Sequence, residues 1–460
     1  MKQLIFTGLA GIVASGVWAQ QPNIIYIMTD QQTASALSCE NASVVHTPNL
    51  DRLAHEGIRF SHAYCAAPLS GPSRFAMITG LPPGREGMLK NHTPFPEELK
   101  EQTLGNLLSK AGYECAYAGK WHLPEASLPT GDNGFGFRFL HGHDDRGLAK
   151  SCMAFLREHH PKPFFLVASF DNPHNICEYA RNQQLPFAEI QDPPVEDCPN
   201  LPSNFAPTPY EAEIIRLEQK GHFPTYPVID YTVDDWRRYL NAYYRLVETV
   251  DHEIGKIIDA LVESGLYDQS VIIFSSDHGD GAASNRWNQK SALFEEVVNV
   301  PFIVKAPNRF GSNRVRPQLI NAGLDLLPTI CDYAAAEIPD HCTGKSIRRL
   351  IEQEDEQEIH PYIVTETLFD KSTTRGWMIR TPGHKYVLYD KGKYREQLFD
   401  MQQDRKERIN LVVEKKDRDL LNRHRTILNE WIEMNNIVTS GREIIPPEKN
   451  HCQTIHKPTK

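Results

Sequence analysis

Asn23-Ile24-Ile25-Tyr26-Ile27-Met28-Thr29-Asp30-Gln31 is an unbroken apolar run that stops at an acid and an amide. A strand that is apolar on both faces belongs inside a sheet covered by helices on each side. Three other runs share this texture: Phe164-Phe165-Leu166-Val167-Ala168, Val271-Ile272-Ile273-Phe274 and Pro301-Phe302-Ile303-Val304. Helical segments separate them. Thr47-Pro48 reads as an N-cap and a first-turn proline, with Leu50, Leu53 and Ala54 on one face and Gly57 at the end. Thr232 and Asp235 form a capping box that opens a longer helix, along which Trp236, Leu240, Tyr243, Val247, Val250, Ile254 and Leu261 recur until Gly265. Strands alternating with helices predict an α/β fold, a doubly wound, mostly parallel sheet with helices on both faces.

Ligands of such sheets bind beyond the carboxyl ends of the strands. Here the first run ends at Asp30-Gln31, the second at Asn172-Pro173-His174 and the third at Asp277-His278-Gly279-Asp280. A further segment, 113–118, ends at Gly119-Lys120-Trp121-His122. Four reactive endings on one edge predict a site. Asp30, Gln31, Asp277 and His278 offer mostly oxygen donors with one imidazole, a set suited to one divalent cation. Calcium is the expected ion, with magnesium, manganese and zinc as alternatives; the imidazole favours manganese or zinc.

The chain has 460 residues and a formal charge of -10, which excludes a general nucleic-acid binder. An anionic substrate must therefore meet a local basic pocket. Met1-Lys2, an apolar run over 4–17 and Val17-Trp18-Ala19 predict a cleaved secretory signal over residues 1–19. No cysteine precedes Cys39, so the expectation is an exported, soluble protein without lipid anchor or membrane insertion. Nine dispersed cysteines lack any CxxC pair and read mainly as small core residues, at least one of them free. Residues 192–227 are Pro-rich and predict an irregular excursion over the active face. Beyond Glu358 the texture changes to short alternating strands, Trp377-Met378-Ile379-Arg380 and Lys385-Tyr386-Val387-Leu388-Tyr389, then a charged, solvent-facing helix over 415–434. The expected division is a catalytic domain over 20–360 and a small C-terminal α+β subdomain with a short antiparallel sheet over 361–460.

Ser70-Gly71-Pro72-Ser73-Arg74, followed by Ile78-Thr79-Gly80, places a serine at a helix N-terminus, where backbone N–H groups favour negative charge. The pentad resembles the S-x-P-S-R signature of the type I sulfatases, members of the alkaline phosphatase-like superfamily. Other segments are similar in kind and order: Thr47-Pro48-Asn49-Leu50-Asp51-Arg52-Leu53-Ala54, Gly119-Lys120-Trp121-His122, Asn172-Pro173-His174, Ser276-Asp277-His278-Gly279, Lys290 with Phe294-Glu295-Glu296, and Gln397-Leu398-Phe399-Asp400. The likeness runs from Asn23 past Leu411.

The resemblance implies an alkaline-phosphatase-like fold and conversion of Ser70 to formylglycine by a radical SAM maturating enzyme. It implies a cation held by Asp30, Gln31, Asp277 and His278 together with the modified Ser70. Arg74 and Lys120 would stabilise the hydrated aldehyde, with His122 beside it as a base. Lys120 and Lys290 would neutralise the sulfate, and His174 would protonate the leaving oxygen. The implied enzyme is a periplasmic, exo-acting sulfatase of a sulfated saccharide. Asp-Gln at the first strand end and His at 278 depart from the commonest pattern and leave a phosphonate monoester or phosphodiester hydrolase as an alternative. A glycan-binding relative with unmodified Ser70 is the non-enzymatic reading. Residues 91–92, 141–146 and 285–288 are candidate sugar contacts, since they mix polar and aromatic side chains on predicted loops.

Overall fold

The computed structural model describes residues 21–41, 43–123, 134–222, 225–307, 312–353, 356–414, 417–439 and 445. The expected signal, Cys452 and the predicted helix start at Lys415 lie outside them. The central sheet has eight strands in the order Arg138–His141, Glu114–Gly119, Phe164–Pro173, Ile24–Asp30, Val271–Ser276, Phe302–Lys305, Ile58–Phe60 and Arg314–Arg316. Ile24–Asp30 is buried along its whole length and runs parallel to both neighbours. Ile24 stands opposite Phe165 and Val271, so the three strands end level and deliver Asp30, His174 and Asp277 to one edge. Phe302–Lys305 differs, being antiparallel to both its neighbours. Its carboxyl end points the other way, which explains why that apolar run leads to no reactive side chains.

The Thr232–Asp235 capping box is present and opens the helix Val233–Glu263. Thr47, in contrast, gives no side-chain cap to the helix Pro48–Glu56. Its hydroxyl accepts instead from the Ser38 amide at 2.8 Å. The cap comes from the long helix: buried Asp251 accepts from the Leu50 and Asn49 amides at 2.8 and 3.2 Å and from Asn49 Nδ2 at 2.9 Å. A cap reached across space leaves no mark in local sequence.

The second sheet is antiparallel, with strands Ile363–Leu368, Arg375–Arg380, His384–Tyr389 and Glu396–Asp400. The helix expected to face solvent spans Arg418–Met434 and buries Leu421, Leu428, Trp431 and Ile432 against Trp377, Ile379, Tyr386 and Leu398. Its charges occupy only the outer face. The excursion over 192–227 also departs from expectation, because it contains the helix Glu213–Gly221, which buries Ile214 and Ile215. The two sheets meet around a buried cation: Lys385 Nζ lies 3.1 Å from Glu295 Oε2 and 2.6 Å from Glu407 Oε1. Cys39, Cys65, Cys115, Cys152, Cys177, Cys198, Cys331 and Cys342 are unpaired, most of them buried. Among the described residues, no helix is long and apolar enough to cross a membrane.

Asp251→Ala is expected to cost about 2 kcal/mol, because it strands the buried Leu50 amide. Chemical denaturation of the variant and the parent reads this directly; a loss below about 0.5 kcal/mol would show that the helix caps itself.

Candidate active site

Ser70–Thr79 forms a helix closed by Gly80, whose φ of 69° and bond to Ala76 O make a left-handed cap. Pro72 fits the first turn because the missing N–H is one that the helix leaves unpaired. Gly71 is required by a close approach: a Cβ there would sit 2.9 Å from Asn91 Oδ1, which accepts from the Gly71 amide. This helix aims Ser70 and, one turn on, Arg74 at the ends of the central strands.

Asp30, Asp277 and His278 are fully buried, and their ligand atoms all lie within 4.8 Å of one another. Ser70 Oγ is 3.2 Å from His278 Nε2 and 3.5 Å from Asp30 Oδ1. His278 Nδ1 is 3.0 Å from Gly279 O, a pure acceptor, so that nitrogen carries the proton. Nε2 is then a bare lone pair, 3.9 Å from Asp30 Oδ1 and 3.8 Å from Asp277 Oδ1. An imidazole lone pair facing two carboxylates calls for a cation, and the donor set fits a divalent one. Gln31 reaches the cluster through its backbone, donating to Asp277 Oδ1 at 3.1 Å from a left-handed φ of 73°. Its side-chain nitrogen is fixed on Asp280 Oδ2 at 2.8 Å, which leaves the amide oxygen as its possible ligand atom.

Positive groups surround the carboxylates. Arg74 Nε donates to Asp277 Oδ2 at 3.0 Å and its Nη2 to Asp30 Oδ2 at 3.1 Å. The same guanidinium reaches Ser169 Oγ at 2.9 Å and the Lys120 carbonyl. Lys120 Nζ lies 2.7 Å from Asp30 Oδ2 and 2.8 Å from Asp171 Oδ1. Lys290 Nζ donates to His174 Nε2 at 3.0 Å. Burial alone would raise the Asp30 carboxyl, yet Lys120, His174, Arg74 and Lys290 hold it well below the usual carboxylate range. Asp277 goes the other way, lifted by burial and by the neighbouring Asp30 charge.

His174 is held well below the ordinary imidazole value by burial and by Lys120 and Lys290. His122 is pushed down to about 2 by burial and the adjacent Lys120, and its buried Nδ1 has no partner. Both rings are therefore neutral at neutral pH, and the Lys290–His174 pair holds its proton on the lysine.

The structure thus gathers the strand-end residues and Ser70 at one edge. Asp171 was missed: it binds Lys120, His143 Nε2 at 2.9 Å and Asn175 Nδ2 at 2.9 Å. Its position one residue before Asn172-Pro173-His174 was the available signal. Asp280, which also accepts from Tyr239 OH and the Gln289 amide, was visible within Asp277-His278-Gly279-Asp280 but carried no assigned role. The 285–288 cluster is not a sugar surface: Asn285, Trp287 and Asn288 are buried, and Trp287 Nε1 donates to Lys290 O at 3.1 Å. His92 remains exposed, its ring edge-on to His122 at 6.0 Å.

A mostly parallel sheet whose strand ends bring two acids, an imidazole and a helix-borne serine among basic groups defines a hydrolase site of the alkaline phosphatase-like kind. Residues 22–336 match the sulfatase family, and residues 283–434 match the family described as N-sulphoglucosamine sulphohydrolase, C-terminal. The chain belongs to the sulfatase family and is a sulfuric ester hydrolase. It is 30% identical over 92% of its length to the Delta 4,5-hexuronate-2-O-sulfatase of Bacteroides thetaiotaomicron, of which it covers 92%. It is 26% identical to that organism's N-acetylglucosamine-6-O-sulfatase, over 85% of this chain and 83% of that one. A solved 2-O GAG sulfatase superposes with a TM-score of 0.78 and 28% identity, covering 91% of this chain and 93% of the other.

His122 is expected to stay neutral far below the ordinary imidazole range. A histidine NMR titration should show no protonation of this ring down to about pH 5. A midpoint near 6.5 would place the ring outside the basic cluster.

Proposed function

We propose that the protein is an exported sulfatase of a sulfated carbohydrate that uses a formylglycine made from Ser70 and one divalent cation. The carrying observation is Ser70 Oγ lying 3.2 Å from His278 Nε2 within the buried Asp30–Asp277–His278 cluster. The carbohydrate substrate is supported by the two Bacteroides thetaiotaomicron relatives, which act on hexuronate and N-acetylglucosamine sulfates. Export to the periplasm is supported by the charged start and apolar run of the first nineteen residues.

Asp30, Asp277 and His278 hold the cation, with the Gln31 oxygen and the modified Ser70 completing its ligands. Calcium suits the oxygen donors, and His278 keeps manganese, magnesium and zinc open. When bound, the cation supplies Lewis acidity to oxygens of the nucleophile and the sulfate. The hydrated aldehyde supplies one hydroxyl to attack sulfur and a second whose deprotonation expels sulfate. A radical SAM maturase is the proposed oxidant of the Ser70 side chain.

The chain's own side chains do the rest. Arg74, anchored on both carboxylates, and Lys120, anchored on Asp30 and Asp171, fix the modified Ser70 and meet the anion. Lys290 faces the sulfate with Lys120 and lends the charge that develops on its oxygens somewhere to go. The Lys290–His174 pair delivers a proton to the departing alcohol oxygen, and neutral His122 takes the proton released as the aldehyde reforms.

Mass spectrometry of the Ser70 peptide from the native host is expected to read about two daltons below serine, the two hydrogens lost on oxidation. Defined sulfated mono- and disaccharides should then be desulfated by the matured enzyme. An unmodified Ser70, or faster turnover of phosphonate or phosphate diesters than of any sulfated sugar, would reject this reading. His174→Ala should slow sugar sulfates by about 10² to 10⁴ while sparing activated aryl sulfates, whose leaving oxygen needs no proton. Equal losses on both substrates would remove His174 as the acid.

A further inference from the structure

The helix Glu213–Gly221 and two turns of the C-terminal sheet form one surface outside the catalytic cluster. The turn after Ile363–Leu368 closes on the helix end, where Glu218 accepts from the Lys371 and Ser372 amides at 3.2 and 3.1 Å. The turn after His384–Tyr389 closes on the helix start. There the Glu213 amide donates to Lys393 O at 3.0 Å, and the Lys393 amide donates to Glu213 Oε2 at 3.0 Å. Lys391 Nζ ties the turns together, donating to Ser372 O at 3.0 Å and Thr373 O at 2.9 Å.

Lysines and carboxylates are sorted on this surface. Lys220, Lys371, Lys391 and Lys393 are all exposed. Glu211 is paired with Arg216, Glu213 and Glu218 hold backbone amides, and Asp390 accepts from the Arg375 amide at 3.0 Å. Asp370 is the exposed counter-charge of the turn. A chain of net charge -10 therefore carries a locally positive face.

Two tyrosines stand on it. Tyr210 and Tyr394 are 52% and 56% exposed, with ring centroids 5.5 Å apart at 70°. Both have left-handed backbones, with φ of 59° and 50°, a conformation unfavourable for bulky residues. Such strain persists where the surroundings enforce it, and it clusters at binding sites. These rings are held out in solvent, each edge-to-face with the other, so that ring area stays available. The surface also connects to the catalytic loop. Arg216 contacts Asn285 O, Gln219 Nε2 donates to Arg286 O at 2.9 Å, and Trp287 next in sequence holds Lys290 O.

We propose that this lysine–tyrosine surface binds the polyanionic backbone of a sulfated polysaccharide beside the catalytic pocket. The lysines meet its sulfate groups, and a tyrosine ring covers the apolar face of a sugar. This inference rests on the carbohydrate sulfatase reading for its ligand, and it adds a site distinct from the catalytic one.

Affinity electrophoresis of the matured, full-length enzyme in gels containing dextran sulfate or neutral dextran tests it. Wild type should be retarded by dextran sulfate alone. The double variant Lys391→Glu/Lys393→Glu should bind dextran sulfate about tenfold more weakly, and the wild-type retardation should fade with added salt. Tyr394→Gly should bind about threefold more weakly without a lower Tm, because glycine accepts the left-handed backbone. Both variants should hydrolyse a small sulfated monosaccharide at the wild-type kcat/KM. Wild-type affinity in the variants, no retardation of wild type, or equal retardation by neutral dextran would overturn the proposal. Failure of wild type on every sulfated monosaccharide would instead reject the carbohydrate reading, while the dextran sulfate gels still judge the surface.

Discussion

The site depends on the Arg74 guanidinium, which holds Asp30 and Asp277 side by side in a region closed to water. Two carboxylates at that separation repel, and each loses hydration on burial. Arg74 and Lys120 compensate part of this charge from one side, and His278 offers a lone pair from the other. What remains is a pocket whose acceptors want a cation and whose outer wall is cationic. A divalent ion and a tetrahedral anion complete that arrangement in opposite senses. The same cluster ties the Ser70–Thr79 helix to the strand ends, so folding and the site are not separable.

Much of this was legible in the sequence because the physics is local. Continuous apolar strands that break into Asp30, His174 and Asp277 give both the sheet and its working edge. The capping box at Thr232 is legible for the same reason, since its partners are three residues apart. What escaped depends on contacts between distant segments. Asp251 caps a helix some two hundred residues earlier in the chain, and Thr47 cannot show that its hydroxyl is already engaged. The direction of Phe302–Lys305 is set by its neighbours, and a four-residue apolar run has no polarity of its own.

Burial decided the remaining differences. Asn285, Trp287 and Asn288 have the composition of a sugar-binding loop, yet they pack under Lys290 and set the position of that lysine. The helix Arg418–Met434 looks charged when its residues are counted and amphipathic once they are placed on a face. The C-terminal sheet is coupled to the catalytic edge by Lys385, whose ammonium joins Glu295 and Glu407 in a buried group. Glu295 begins the short helix that follows Lys290 by five residues, so this group also fixes where the active-site loop ends.

Crystals of the matured enzyme grown with the candidate cation and soaked in sulfate, measured at the metal's absorption edge, test the central claim most directly. The account predicts one anomalous peak among Asp30, Asp277 and His278, with sulfate within hydrogen-bond distance of Lys120 and Lys290. A cation bound elsewhere, or sulfate that avoids both lysines while this cluster binds no metal, would contradict it.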